Sequence, residues 1–188
     1  MALAYFIRFS TYGTWLHGIT RGMGSVDDEH NAYGSSFIPP DSAREARARV
    51  AMEQPPFTMN AAQRDIVRDA IVDLAREKDW RLWAAHVRTA HVHTVITAAR
   101  EPGRVMSDLK ARVSRDLTRA GFDSAERRRW TRHGSTRHLF TEAEVVEKMD
   151  YTLNKQGAPM ATHDGRQDDE VRSRKEEPRT NGKEPRTQ

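Results

Sequence analysis

Cysteine is absent from this chain of 188 residues, which excludes disulfides, thiolate nucleophiles and thiolate zinc sites. Long apolar runs are also missing: no stretch of about 18 apolar residues occurs, so we expect no transmembrane helix and no membrane partner. The apolar start is interrupted by Arg8 and has no basic residues before it, so it predicts a strand rather than a signal peptide. We therefore expect a cytoplasmic protein.

Charged residues make up 31% of the chain and hydrophobic residues 37%, with a formal net charge of +4. A basic balance favours an anionic partner, of which nucleic acid is the most common. Charge is dense at the C-terminal end, where the near-repeats EEPRT and KEPRT occur and apolar residues are almost missing. We predict one folded domain over residues 1–160 and a disordered charged tail over 161–188.

The apolar pattern of the folded part predicts the order β-α-β-β-α-β-α. The predicted strands are 4–12, 80–87, 91–98 and 135–140, and the predicted helices are 60–78, 102–120 and 141–157. A weakly patterned insertion at about 18–58 contains a short predicted helix over Asp41–Met52. This order indicates an α+β fold, with a central antiparallel sheet and helices packed on one side of it.

Two histidines stand two residues apart in the third predicted strand, as His91-Val92-His93. Side chains at positions i and i+2 of a strand share one face, so the two imidazoles should lie side by side. Such a pair is a candidate metal site, although a bare H-x-H is equally compatible with an ordinary polar sheet face. His86, one strand earlier, is expected to be a hydrogen-bonded structural histidine.

A tyrosine occupies an unusual position on the last predicted helix. Val145, Val146, Met149 and Leu153 form its apolar stripe, and at about 100° per residue Tyr151 falls almost opposite the centre of that stripe. A phenol on a rigid helix is suited to nucleophilic attack, but an exposed tyrosine is also common. Tyr151 is therefore a candidate nucleophile, and Tyr12 and Tyr33 are the alternatives.

Four segments together resemble one protein family. They are HVH in a strand, PGRVMSDLKARVSRDLTRAG, WTRHGSTRHLF and YTLNKQG, and the opening AYFIRFSTYGTWLHG also fits. In this order they resemble the single-tyrosine HUH transposases, and most closely the group of REP-associated tyrosine transposases and transposase-like proteins. The likeness covers roughly residues 3–160, with the insertion and the tail poorly matched.

The resemblance implies a ferredoxin-like HUH fold and a metal-dependent endonuclease and strand-transferase activity on single-stranded DNA, at sites associated with hairpins. His91 and His93 match the metal ligands, and the metal is Mg²⁺ or Mn²⁺. Tyr151 matches the nucleophile, which forms a 5′-phosphotyrosine link and releases a 3′-OH. The family includes proteins that act as monomers and as homodimers, and both states stay open here.

The family commonly has a third metal ligand about one turn after the tyrosine. The residue four positions on is Lys155, which cannot ligate a metal while it is protonated. Gln156 is the preferred candidate, because QG after the tyrosine is typical of this group, and Asn154 is the alternative. A water molecule in place of either amide also remains possible, and Lys155 is then a candidate phosphate contact.

Basic and aromatic residues in the second half of the domain are candidate DNA contacts, because single strands are held by backbone charge and by stacking. The candidates are Arg104, Lys110, Arg112, Arg115, Arg129, Trp130, Arg132, Arg137 and Lys155. Trp15 and His17 are candidates to touch DNA or to pack. The alternative interpretation of these charges is a solvated helix face.

Two other functions fit the same residues. One is a domesticated DNA-binding protein that keeps the fold but has lost cleavage, and the imperfect third-ligand position favours it. The other is a nuclease of the replication-initiator or relaxase kind, which shares the chemistry. The short chain, with no helicase-like region, argues against this second alternative.

Overall fold

The structure, a computed structural model, describes residues 2–16 and 41–168. His17, Tyr33, most of the insertion and the chain beyond 168 lie outside the described residues. The elements in chain order are β1 Ala4–Ser10, α1 Ser42–Val50, α2 Ala61–Glu77, β2 Arg81–Val87, β3 His91–Thr97, α3 Pro102–Arg119, β4 Ser135–Leu139, α4 Glu142–Asn154 and β5 Ala161–Asp164. Every element predicted from the sequence within the described ranges is present.

The five strands form one antiparallel sheet in the order β4-β1-β3-β2-β5. The first four, with α2 and α3 as connections, give the ferredoxin-like arrangement predicted from the sequence. The fold is therefore α+β. β2 and β3 form the expected hairpin, closed by a bond from the Arg88 amide to the His91 carbonyl (2.9 Å).

Strand β5 corrects the predicted tail boundary. Ala161–Asp164 pairs with the outer edge of β2, so the folded part extends past residue 160. Only Ala161 of this strand is buried, which is why no apolar alternation revealed it. Gly165 ends the strand with its amide donating to the Trp83 carbonyl (2.9 Å), and a Cβ there would collide with the Leu82 carbonyl.

Helices cover both faces of the sheet, not one face as the sequence suggested. The larger core lies between α2, α3 and one face, and its central members include Ile7, Phe9 and Val92. The smaller core, which includes Val95, Met149 and Leu153, lies between α4 and the other face. Because side chains alternate along a strand, His91 and His93 face α4 while Val92 faces the larger core.

The helix ends follow from local sequence signals. Asn60 and Thr141 each cap a helix by accepting from the amide three residues later, and the side chain of that residue bonds back, completing a capping box. Gly157, with φ +80, ends the turn after α4 as predicted. None of the described helices is long and apolar enough to cross a membrane.

Candidate active site

His91 and His93 lie side by side on β3, with ring centroids 4.9 Å apart. His93 is only 3% exposed, and neither of its ring nitrogens has a hydrogen-bond partner among the described residues. A buried polar atom without a partner costs about 1–3 kcal/mol. Such a cost is typical of a site that is complete only with a ligand.

The Tyr151 ring lies directly beside this pair. It stacks on the His93 ring at a centroid distance of 5.9 Å and an interplanar angle of 27°. Phe6 of β1 lies under both rings, 5.5 Å from His93 and 5.9 Å from Tyr151. Tyr151 is off the apolar stripe of α4, as predicted, and 37% exposed, so its ring reaches the histidines while remaining open to solvent.

One member of the predicted stripe of α4 is misplaced. Val146 is 64% exposed, and Thr152 is buried instead. The buried face is therefore rotated towards the side that carries Tyr151. This rotation explains how a side chain at the flank of the helix contacts the sheet.

Both histidines are neutral at pH 7. Burial, together with the charges of Arg8 and Arg88, lowers the pKa of His91 to about 4. Burial also lowers the pKa of His93 to about 3, with His91 and the same two arginines contributing. A neutral imidazole has a free lone pair, which is the form that binds a metal ion.

The two third-ligand candidates behave differently. The Gln156 side chain acts on the His91 ring, where it raises the pKa slightly, and it donates to the Tyr151 carbonyl (3.4 Å). Asn154 instead donates to Asp150 (2.8 Å) on the exposed side of the helix. The structure therefore brings Gln156, and not Asn154, to the histidine pair.

The end of α4 is held against the sheet by two side chains of the β2–β3 hairpin. His86 is fully buried; its Nδ1 lies 2.9 Å from the Thr152 carbonyl, and its Nε2 accepts from the Met160 amide (3.2 Å). It is the hydrogen-bonded structural histidine expected from the sequence. Arg88 donates to the Ala158 carbonyl (3.0 Å), just beyond Gln156.

Phe6, Arg8 and Arg88 are site residues that sequence reasoning missed. Arg8 pairs with His93 in the register of β1 and β3, so the two side chains leave the same face of the sheet. Its guanidinium lies 5.6 Å over the Trp15 ring, which is 41% exposed. Alternation along β1 predicts that Phe6 and Arg8 share one face of the strand. It does not predict that Arg8 pairs with His93, because this register depends on residues far apart in the sequence.

Several candidate DNA contacts make hydrogen bonds or ion pairs within the protein. Arg129 is 3% exposed and donates to Thr118 and Ser124, and Trp130 donates to Ser114 while packing its ring on Phe9. Three further candidates bond within the protein: Lys110 to the carbonyls of Thr131 and His133, Arg112 to Glu77 and Asp116, and Lys155 to Asp150.

The remaining candidates are exposed. Arg137 pairs with Phe6 in register, so it lies on the face of the histidines, where it forms an ion pair with Glu144 (3.4 Å). Arg104 and Arg115 belong to α3, which packs against the opposite face, and Arg132 precedes β4. Their role as DNA contacts stays a prediction.

We expect the metal-free protein to lose stability as the pH falls from about 6.5 towards 4. The pKa values of His86, His91 and His93 are all lowered by burial, so in this window the unfolded chain binds more protons than the folded one. Melting temperatures in EDTA at pH 7.5, 6 and 5, above the range of most carboxylates, measure the effect. A constant melting temperature contradicts burial of neutral histidines.

Comparison with known proteins gives a distant structural likeness. No family model matches the sequence, and no curated protein matches it. Among solved structures, the chain is similar to a REP-associated tyrosine transposase bound to a REP hairpin, at 12% sequence identity and a TM-score of 0.45, with 82% of this chain and 67% of that chain covered. Similarity at this level assigns no role to any residue.

Proposed function

We propose that this protein is a metal-dependent endonuclease and strand transferase for single-stranded DNA, a transposase that acts at hairpin-associated sites. The observation that carries the proposal is the Tyr151 ring stacked on His93, whose buried nitrogens have no partner. The sequence resemblance to single-tyrosine HUH transposases supplies the substrate. Tyr151 is the nucleophile in this proposal.

The donors at the site fit a divalent metal ion. His93 offers an unpartnered nitrogen, His91 is neutral beside it, and Gln156 adds an amide oxygen. No group of three or more His, Cys, Asp or Glu side chains suited to a metal occurs in the ranges 2–16 and 41–168. His91, His93 and Gln156 would hold Mn²⁺ or Mg²⁺, and the bound ion would polarise the phosphate and stabilise the leaving oxygen.

The chain's own residues place the nucleophile. Phe6 supports the Tyr151 ring from the sheet, and the Lys148 ammonium lies 5.5 Å from the ring centre, so the phenol is held between strand and helix. The phenolic oxygen attacks the phosphorus, forming a P–O bond to tyrosine and breaking the P–O3′ bond. The phenol loses its proton and the 3′ oxygen gains one, leaving a 5′-phosphotyrosine and a 3′-OH.

Cleavage of end-labelled DNA tests the proposal directly. A hairpin oligonucleotide with single-stranded flanks is incubated with protein and Mn²⁺ or Mg²⁺, then run on a denaturing gel. With a 3′ label we expect a protein-linked band, and with a 5′ label a shorter free strand. EDTA should abolish both. Binding without an adduct in either metal contradicts the proposal and identifies a non-catalytic DNA-binding protein.

That alternative is favoured by one observation, the pair of arginines beside the histidines. The positive charges of Arg8 and Arg88 act on both rings and oppose a divalent cation there, while they attract DNA. A protein with this pair can bind a strand without metal or chemistry. The labelled-strand experiment separates the two functions, because only the enzyme forms the covalent band.

Replacing Gln156 with alanine should weaken Mn²⁺ binding by about tenfold or more, by loss of a metal-binding or ring-orienting amide. Asn154→Ala is the matched control and should leave binding unchanged, because that amide bonds Asp150 at the surface. Titration of free Mn²⁺ by electron paramagnetic resonance measures both. An unchanged affinity in Gln156→Ala, or an equal loss in Asn154→Ala, shows that Gln156 is not the third ligand.

A further inference from the structure

Arg8 has a position that the proposed chemistry does not use. It lies in the middle strand pair of the site, opposite His93, and paired residues of antiparallel strands have their Cβ atoms about 5 Å apart. Its side chain is half-buried. The Arg8 side chain therefore leaves the same face of the sheet as the two histidines, the face on which Tyr151 packs.

No carboxylate neutralises this guanidinium within the part of the chain that the structure describes. The Arg8 guanidinium lies over the Trp15 ring, which is a weak electrostatic partner compared with a carboxylate. Removing a charge from water without a counterion is unfavourable. An anionic ligand that contacts Arg8 would offset this cost.

Arg88 adds a second positive charge to the same place. One of its guanidinium nitrogens donates to the Ala158 carbonyl, which leaves other N–H groups available. The charges of Arg8 and Arg88 both act on the pKa of His91 and on that of His93. The field at the site is thus positive before any ligand binds.

We propose that Arg8 and Arg88 form an anion site that holds a phosphodiester of single-stranded DNA against His93 and Tyr151, independently of metal. The inference rests on DNA being the partner under the proposed function. Guanidinium groups suit this role, because their planar N–H fork matches two phosphate oxygens. The Trp15 ring orients the Arg8 guanidinium. A DNA strand held by the two arginines brings a phosphate oxygen to the histidine pair.

The two positive charges also affect how metal and DNA bind together. Two guanidiniums repel a divalent cation, and no described carboxylate compensates for them, so the phosphate supplies the negative charge that the cation needs. Metal and DNA should therefore bind with positive coupling: each raises the affinity for the other.

Metal-free DNA binding tests the anion site without relying on cleavage. Tyr151→Phe protein in EDTA is titrated into a fluorescent hairpin with a single-stranded flank, and anisotropy gives Kd at several salt concentrations. We expect Arg8→Gln to raise Kd about tenfold, and to reduce the salt slope by about 0.7, the value for one phosphate contact on a single strand. Arg8→Lys keeps the charge and should retain the slope while losing part of the affinity.

Arg76→Gln is the matched control, since it removes one exposed positive charge from α2, which packs against the opposite face of the sheet, and it should change Kd by less than about twofold. An unchanged Kd in Arg8→Gln, or an equal rise in Arg76→Gln, overturns the anion site. If the adduct never forms but Arg8→Gln still weakens binding, the catalytic proposal fails and the anion site stands. Melting temperatures establish that each variant is folded.

Discussion

Replacing Tyr151 with phenylalanine should abolish the covalent protein–DNA band and leave DNA binding within about twofold of the wild type. The variant loses only the phenolic oxygen, and without a nucleophile the rate falls by a factor on the order of 10⁴ or more. The ring contacts with Phe6 and His93 do not involve that oxygen, so fold and binding surface persist. The labelled-strand gel and anisotropy measure the two properties on the same preparations.

Two other tyrosines serve as controls. Tyr5 packs its ring against His138 at 5.2 Å and contributes to the larger core, away from α4. Tyr12 accepts at its hydroxyl from the Glu53 amide (3.2 Å). Tyr5→Phe and Tyr12→Phe should both retain the covalent band. An adduct that survives in Tyr151→Phe moves the nucleophile to another residue and removes the basis of the proposed mechanism.

The sequence predicted the parts of the site that depend on local pattern. Alternation along β3 places His91 and His93 on one face, and helical periodicity places Tyr151 off its apolar stripe; both relations follow from residues a few positions apart. The partners across the sheet do not follow in this way. Phe6 and Arg8 enter the site through the pairing of β1 with β3, which depends on the packing of the whole sheet.

The basic segment Arg127–Arg132 is a second case in which the sequence pattern does not predict which side chains are buried. In the sequence, Arg127 to Arg132 is a dense positive run, and nothing in its composition separates a surface arginine from a buried one. In the structure, Arg129 is enclosed by the turn after α3, with Asp123 near its Nε at 3.6 Å, whereas Arg132 is exposed. Burial is decided by how this turn folds back on α3, which composition does not encode.

His86 and His93 face each other across β2 and β3 and provide a natural pair for comparing structural and functional burial. Both are nearly inaccessible to solvent, at 0% and 3%. The two nitrogens of His86 bond the Thr152 carbonyl and the Met160 amide, whereas those of His93 bond nothing described. Similar burial therefore has opposite consequences for folding, because only His86 repays the loss of hydration with hydrogen bonds.

We expect His93→Leu to stabilise the metal-free protein and to abolish metal binding. Leucine removes two buried nitrogens without partners, each of which costs about 1–3 kcal/mol. At about 2–4 °C per kcal/mol for a chain of this size, the melting temperature should rise by roughly 4 °C or more. At the same time the Mn²⁺-dependent rise in melting temperature should vanish, together with the covalent DNA band. The wild-type His93 would thus lower the stability of the metal-free protein while being required for metal binding and DNA cleavage.

The matched variant His86→Leu should do the reverse. It leaves the buried Thr152 carbonyl and the partly buried Met160 amide without partners, so we expect a loss of about 2–4 kcal/mol, visible as a lower melting temperature in EDTA at pH 7.5. A residual rise on adding Mn²⁺ should remain, since His91 and His93 are intact. If His93→Leu instead melts at a lower temperature than the wild type, the ring nitrogens of His93 in the wild-type protein have hydrogen-bond partners in solution. The ring nitrogens of His93 then no longer indicate that a ligand binds at this site.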